Sequence, residues 1–228
     1  MKKLTSKILC LGICGAIASQ TSFAASSFNT VKPFVGLEIG TTNNFYDDSY
    51  IENTANAYGF YNTKLSSSIL SSLLYGANVG VRFLDDSHIY HPGAQLYYKK
   101  IKDSATLSVP VPPYGDMKFD IDANYTLTGF SFDNYIRVMH DAPNAQEIQY
   151  DMFVVLGLEA GNIKSNYKSA DFTLMQMNEK GSFYGAKVEG LWEFSNGLGY
   201  NFNISFLKAD IDASPYILTF KMGLRYTF

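Results

Sequence analysis

The sequence predicts an all-β fold, an eight-stranded antiparallel up-and-down barrel. Three observations predict it. Apolar side chains recur on every second residue in eight separate segments, the period of a strand with one apolar face. The connections between these segments differ in length, and the longer ones fall mainly on one side. The chain also finishes on such a segment, KMGLRYTF (221–228), with no polar tail behind it. Terminal residues usually fray because they have few partners, so this ending suits a strand that closes a ring.

A leader precedes the strands. Lys2, Lys3 and Lys7 come first, then the apolar run ILCLGICGAIA (8–18), then Ser22-Phe23-Ala24. Positive, apolar, then small is the plan of a secretory signal peptide, and the run is too short to cross a bilayer as a helix. Cleavage is expected after Ala24, leaving 25–228 as one domain. Cys14 as a lipoprotein acylation site is disfavoured, because Ile13 is too large for the position before it. Cys10 and Cys14 both lie in the leader, so the mature chain is expected to carry no thiol or disulfide. Cleavage removes three basic residues and no acidic one, taking the formal charge from −3 to −6. An acidic exported chain is not expected to bind nucleic acid or anionic lipid heads.

The strands follow in order. FVGLEIG (34–40) sets Val35, Leu37 and Ile39 against Gly36, Glu38 and Gly40. LYGANVGVRF (74–83) sets Tyr75, Ala77, Val79, Val81 and Phe83 against Gly76, Asn78, Gly80 and Arg82. GAQLYYK (93–99) is weaker. The long run 119–138 changes phase: Phe119, Ile121, Ala123, Tyr125 and Leu127 share one parity, and Phe130, Phe132, Ile136 and Val138 the other. Either a bulge near Thr128-Gly129 swaps the faces, or the upper half stands above a membrane. MFVVLGLEAG (152–161) sets Val154, Leu156 and Leu158 against Gly157, Glu159 and Gly161. In YGAKVEGLWEF (184–194), Tyr184, Ala186, Val188, Trp192 and Phe194 oppose Gly185, Lys187, Glu189 and Glu193. YNFNISF (200–206) alternates aromatic or Ile with Asn and Ser. In the last segment Leu218, Phe220, Met222, Leu224, Tyr226 and Phe228 alternate with Thr219, Lys221, Gly223, Arg225 and Thr227. The connections are expected at 42–72, 84–92, 103–118, 139–149, 162–181, 195–198 and 208–214.

Alternation does not say which face is inside. A lipocalin-like carrier holds its apolar side chains within, and a transmembrane barrel holds them against lipid. Three features favour the membrane. Glycine and charges of both signs crowd the minor parity, as a narrow packed lumen requires. Aromatics flank the apolar face at Tyr75, Phe83, Tyr98, Trp192, Phe194, Tyr226 and Phe228, the place of interfacial girdles. The closing strand leaves no backbone edge unpaired in lipid, where each open group costs several kcal/mol. The partner is then outer-membrane lipid, and long extracellular loops alternate with periplasmic turns.

The final octapeptide resembles the terminal signal that the barrel-assembly machinery reads, with Lys221, Gly223, Tyr226 and Phe228 at the matching places. The mature chain as a whole resembles eight-stranded OmpA-like, OmpX-like and opacity-type surface proteins, including surface antigens of intracellular α-proteobacteria. That resemblance implies a monomer in the cell outer membrane of a Gram-negative bacterium. It implies a structural or adhesive role through surface loops and a passing contact with the assembly machinery. No cell-wall-binding domain is expected.

GLEIG (36–40) and GLEAG (157–161) echo one another, so Glu38 and Glu159 are expected as lumen carboxylates. Arg82, Lys187, Lys221 and Arg225 are candidate partners, with Glu189 on the same face. A plug is favoured over a small ion-conducting pore, since side chains fill an eight-stranded interior. No catalysis, cofactor or metal is expected. His88, His91 and His140 fall in predicted turns without a serine and carboxylate beside them, and Asp47-Asp48 and Asp85-Asp86 read as solvated acids. Recognition by loops is the stronger expectation. Phe45, Tyr46, Tyr50, Tyr58, Phe60 and Tyr61 lie among Ser and Asn, a composition suited to contact with a host or environmental ligand. The same rings could instead fold back on the barrel rim. LSVPVPPYGD (107–116) is expected as a stiff tip, and Phe172, Leu174, Met175 and Met177 as a short amphipathic piece on the rim.

Overall fold

The computed structural model describes residues 30–57, 59, 61–67, 72–84, 88–140, 150–169, 176–213 and 216–228. The leader, Tyr58, Phe60, Asp85, Asp86, Phe172, Leu174 and Met175 lie outside these. Among the described residues, β1 (Thr30–Phe45) leads to helix α1 (Asp48–Ala57) and a short strand, β2 (Lys64–Ser67). Then come β3 (Leu73–Leu84), β4 (Tyr90–Val111), β5 (Gly115–His140) and β6 (Tyr150–Ser169). β7 (Gln176–Phe194), β8 (Leu198–Ala209) and β9 (Tyr216–Thr227) complete the chain.

All neighbours are antiparallel, and β1 pairs with both β3 and β9, so the sheet closes. β2 and β3 lie end to end along β4 and form one stave. The ring therefore has eight staves, as the alternation predicts, and the final strand is the closing one.

The staves are unequal. β4 and β5 form a continuous ladder from Tyr90↔Ile136 to Val111↔Gly115. β5 alone has 26 residues, more than twice the roughly 9–11 that a tilted strand needs to cross a bilayer. Two expected loops are thus mostly wall. Residues 103–111 and 115–118 are strand, leaving a tight turn at 112–114, and 162–169 and 176–181 are strand as well. The expected loop at 42–72 begins as strand and then holds α1 and β2. Cross-strand hydrogen bonding carried these polar segments into the sheet, where composition alone reads them as loop. The turn at 112–114 contains a cis Pro112–Pro113 bond, and Gly115 adopts φ 89°, a left-handed conformation that favours glycine. The opposite end turns at 195–197, where Gly197 N donates to Phe194 O at 2.9 Å.

The phase change in β5 has a clear cause. Its register against β6 is unbroken from Ile121↔Ser169 to Arg137↔Phe153, and the irregularity falls at Arg137/Met139. There is no bulge at Thr128-Gly129. Odd-numbered side chains point inward from Phe119 to Tyr135, both Tyr125 and Leu127 above and Ser131 and Asp133 below. The surroundings exchange polarity while the backbone continues. Below this level, apolar residues face out: Leu37 is 67% exposed, Leu96 63% and Leu158 66%. Above it, Lys118, Asp120, Asp122 and Asn124 face out, while Phe119, Ile121, Ala123, Tyr125 and Leu127 pack inside.

Candidate functional site

The barrel interior is built in three layers. The lowest is aromatic. Tyr135, Phe153, Val155 and Leu191 pack together, with Phe34 beside Arg225. Arg82 lies over the Phe153 ring at 4.5 Å and the Tyr135 ring at 5.2 Å, and Arg225 over Phe34 at 4.2 Å. Guanidinium groups suit ring faces because they are planar and weakly hydrated. Arg82 also reaches Glu193 at 2.7 Å, and Thr227 donates to the same carboxylate at 2.9 Å.

The middle layer is charged and sealed. Glu189 accepts from Arg225 at 2.8 Å and from Asn203 at 3.2 Å, and lies 3.5 Å from the Lys187 ammonium. Lys187 donates to Asp133 at 2.9 Å, and Ser131 also bonds Asp133. Lys99 donates to Glu159 at 2.7 Å and sits 3.7 Å from the centre of the Tyr97 ring. Lys221 lies 3.6 Å from Glu38. All are buried. Burying so many charges costs several kcal/mol per ion, which pairing and hydrogen bonding must offset. Glycine makes the room. A Cβ on Gly157 would collide with the Asp133 carboxylate and come within 2.6 Å of Lys187 Cε.

The upper layer is an apolar core. It joins Leu74, Ile101, Leu107, Ile121, Tyr125, Leu127, Ile163, Tyr167, Phe183 and Ile217. α1 and its approach pack against it. Asp47 caps the helix, accepting from Tyr50 N at 3.1 Å, and Tyr46 and Tyr50 pack onto the core. Tyr46 donates to Asp103 at 2.9 Å, and Asn44 reaches the same carboxylate oxygen at 2.7 Å. Burial, reinforced by the negative charge of Asp103, pushes the Tyr46 phenol well above its ordinary range.

Each sequence-derived residue among those described has a definite place. Glu38, Arg82, Glu159, Lys187, Glu189, Lys221 and Arg225 all face the lumen. Arg225, Glu189 and Lys187 form one run that ends on Asp133, whereas Glu159 pairs with Lys99, Glu38 lies by Lys221, and Arg82 lies lowest with Glu193. Lys99, Asp133 and Glu193 also belong to this interior. Glu193 already stands on the polar parity of 184–194, and the signal for Lys99 and Asp133 was present in the odd parity of YYKK (97–100) and FSFDNY (130–135), the latter obscured by the phase change in β5. Lys221 and Gly223 of the terminal octapeptide face inward, and Tyr226 and Phe228 outward.

The loop aromatics divide. Tyr46 and Tyr50 fold inward, leaving Phe45 and Tyr61 exposed among those described. The histidines divide too. His91 is not in a turn but buried in β4, edge-on to Phe153 with centroids 6.1 Å apart. His140 closes β5, and its Nδ1 lies 2.6 Å from Asp151 Oδ1. His140 and Asp151 line a cavity of about 450 Å³ at the lower mouth, with Ser195, Glu193 and Thr227. The fold therefore supplies a carboxylate that sequence spacing missed. Among the described residues, Ser195 makes no hydrogen bond to His140.

A closed ring of eight staves, lipid-facing apolar side chains and a packed charged lumen together define an outer-membrane type of β-barrel. No protein-family model and no curated protein matches the chain. Among solved structures, it is similar to Ail, the attachment invasion locus protein of Yersinia pestis. That match has 12% identity, covers 86% of this chain and 98% of that one, and has a TM-score of 0.43. Neisserial surface protein A gives 10% identity, 86% and 97% coverage and a TM-score of 0.42. The outer membrane protease OmpT from Escherichia coli gives 10% identity, 89% and 98% coverage and a TM-score of 0.42. These likenesses are of barrel outline and leave the role of the chain open.

Proposed function

We propose that the chain is a surface protein of the bacterial outer membrane, acting through its external end as a structural or adhesive element and not as a pore or an enzyme. One observation carries this reading: the wall continues well above the lipid-facing belt on β4 to β7, around an apolar core of its own. Holding that much ordered sheet outside the membrane serves display. The turn at its summit carries Tyr114, which is 88% exposed, and Tyr61 is 66% exposed. These are the groups left for a host or environmental ligand. The three filled layers argue against conduction, and the outward belt argues against a soluble carrier. Export by the leader cleaved near Ala24, assembly through the 221–228 signal and life as a monomer belong to the same proposal.

The test is protease treatment of intact cells, with cut sites mapped by mass spectrometry. Cutting is expected near Tyr61 and within 112–115, with the ladder of 103–111 and 115–118 spared. Cutting only after lysis, with release into the soluble periplasmic fraction, would sink the proposal.

A further inference from the structure

Net charge spoke against anionic lipid heads as partners, but the fold does not distribute its charge evenly. Just above the apolar belt, strand register sets the outward side chains in rows. Lys100 pairs with Thr126, Thr126 with Lys164, and Lys164 with Lys180. The next row up runs Lys102, Asn124, Asn166 and Asn178. All four lysines are exposed, and neither row contains a carboxylate. Among the described residues, none of the four makes a salt bridge. Lys164 and Lys180 are directly opposite on the same face, where like charges repel. An anion placed against this face would relieve that repulsion.

Height identifies the anion. Below the lysines comes the row Tyr98, Thr128, Asn162 and Ser182, and below that Leu96, Phe130, Ala160 and Tyr184, where the apolar belt begins. Leu96 to Lys100 is four residues, roughly 13 Å of strand, or about 10 Å of height once the barrel's strand tilt is included. A lysine there can lay its stem along the wall and hold its ammonium at the headgroup level. The rows also point sideways from the barrel, whereas a soluble partner would meet the turn at 112–114 first.

We propose that Lys100, Lys102, Lys164 and Lys180 form a face that binds the phosphate groups of anionic outer-leaflet lipid. The proposal rests on the outer-membrane reading, and supplies a lipid partner of stated chemistry. Lysine suits phosphate as a compact point charge, and several such charges at one membrane surface add together.

The test uses the mature chain folded into nanodiscs of phosphatidylcholine with one fifth phosphatidic acid. Native mass spectrometry of the released protein reads which lipid stays bound. Wild type is expected to retain phosphatidic acid about tenfold above its share, and K100Q/K102Q/K164Q/K180Q about twofold or less. Lys118→Gln, near the summit, is expected to behave as wild type. Equal retention by the quadruple variant, or an equal loss in Lys118→Gln, would overturn the face. Heat-modifiable gel migration reports insertion separately. A wild type that does not insert would overturn the membrane reading and this proposal with it, whereas insertion without enrichment would overturn this proposal alone. Saturable binding of inorganic phosphate by the detergent-solubilised barrel, lost in the quadruple variant, would replace the lipid with a soluble source.

Discussion

The strands β4 to β7 run through both the lower and the upper half of this barrel, yet opposite rules of burial govern the two halves. Below Thr128, Asp133 and Glu189 lie inside and Leu158 faces out. Above it, Tyr125 and Leu127 lie inside and Asp120 and Asp122 face out. The solvent around each half explains the difference. Lipid takes apolar side chains without the help of a core, so the lower lumen can hold ion pairs. Water does not, so the upper half must bury its apolar groups as any soluble barrel does. A single strand such as β5 obeys both rules in turn.

Substitutions in the two halves test that comparison. The largest expected effect lies in the charged layer. Glu189→Ala leaves Arg225 and Lys187 without their shared carboxylate, and is expected to cost about 3–5 kcal/mol. Urea unfolding of the barrel in vesicles would show it, and a change under about 1 kcal/mol would mean water already screens the layer.

The next pair compares the two outer walls. Leu158→Lys places an ammonium against lipid and is expected to cost about 2–4 kcal/mol, depending on depth. Asp120→Lys on the upper wall is expected to stay within about 0.5 kcal/mol. Similar costs at both positions would erase the proposed boundary. A cysteine introduced at Asp120 should react with a membrane-impermeant thiol reagent on intact cells, and one at Leu158 should not.

The smallest expected effect is Tyr46→Phe, which removes one hydrogen bond to Asp103 while Asn44 keeps the other. The cost should be about 1 kcal/mol by the same unfolding measurement. The pKa of the Tyr46 phenol is raised in the folded state, so its contribution is complete below pH 10 and declines above it, as the unfolded chain ionises and the folded one does not. The wild type should therefore lose more stability than Tyr46→Phe between pH 10 and pH 11. Parallel curves would place Tyr46 in water.

Period-two alternation was enough to set eight staves and the closing strand and to put Glu38, Glu159, Lys187, Glu189, Lys221 and Arg225 on the polar face, which the glycines, the mixed charges and the flanking aromatics then turned inward. Those features depend only on successive side chains pointing to opposite faces, which any strand imposes locally. Three others were beyond reach of one segment read alone. The polar stretches 103–111, 115–118, 162–169 and 176–181 became wall because neighbouring strands supplied hydrogen bonds to them. Tyr46 and Tyr50 turned inward because the upper core offered them apolar cover and Asp103 a hydrogen bond. Lys100, Lys164 and Lys180 are far apart in the chain, and only register sets them in one row. The sequence by itself determined which face of each strand a residue occupies. The closed sheet decided what lies across from it, because pairing partners come from distant segments.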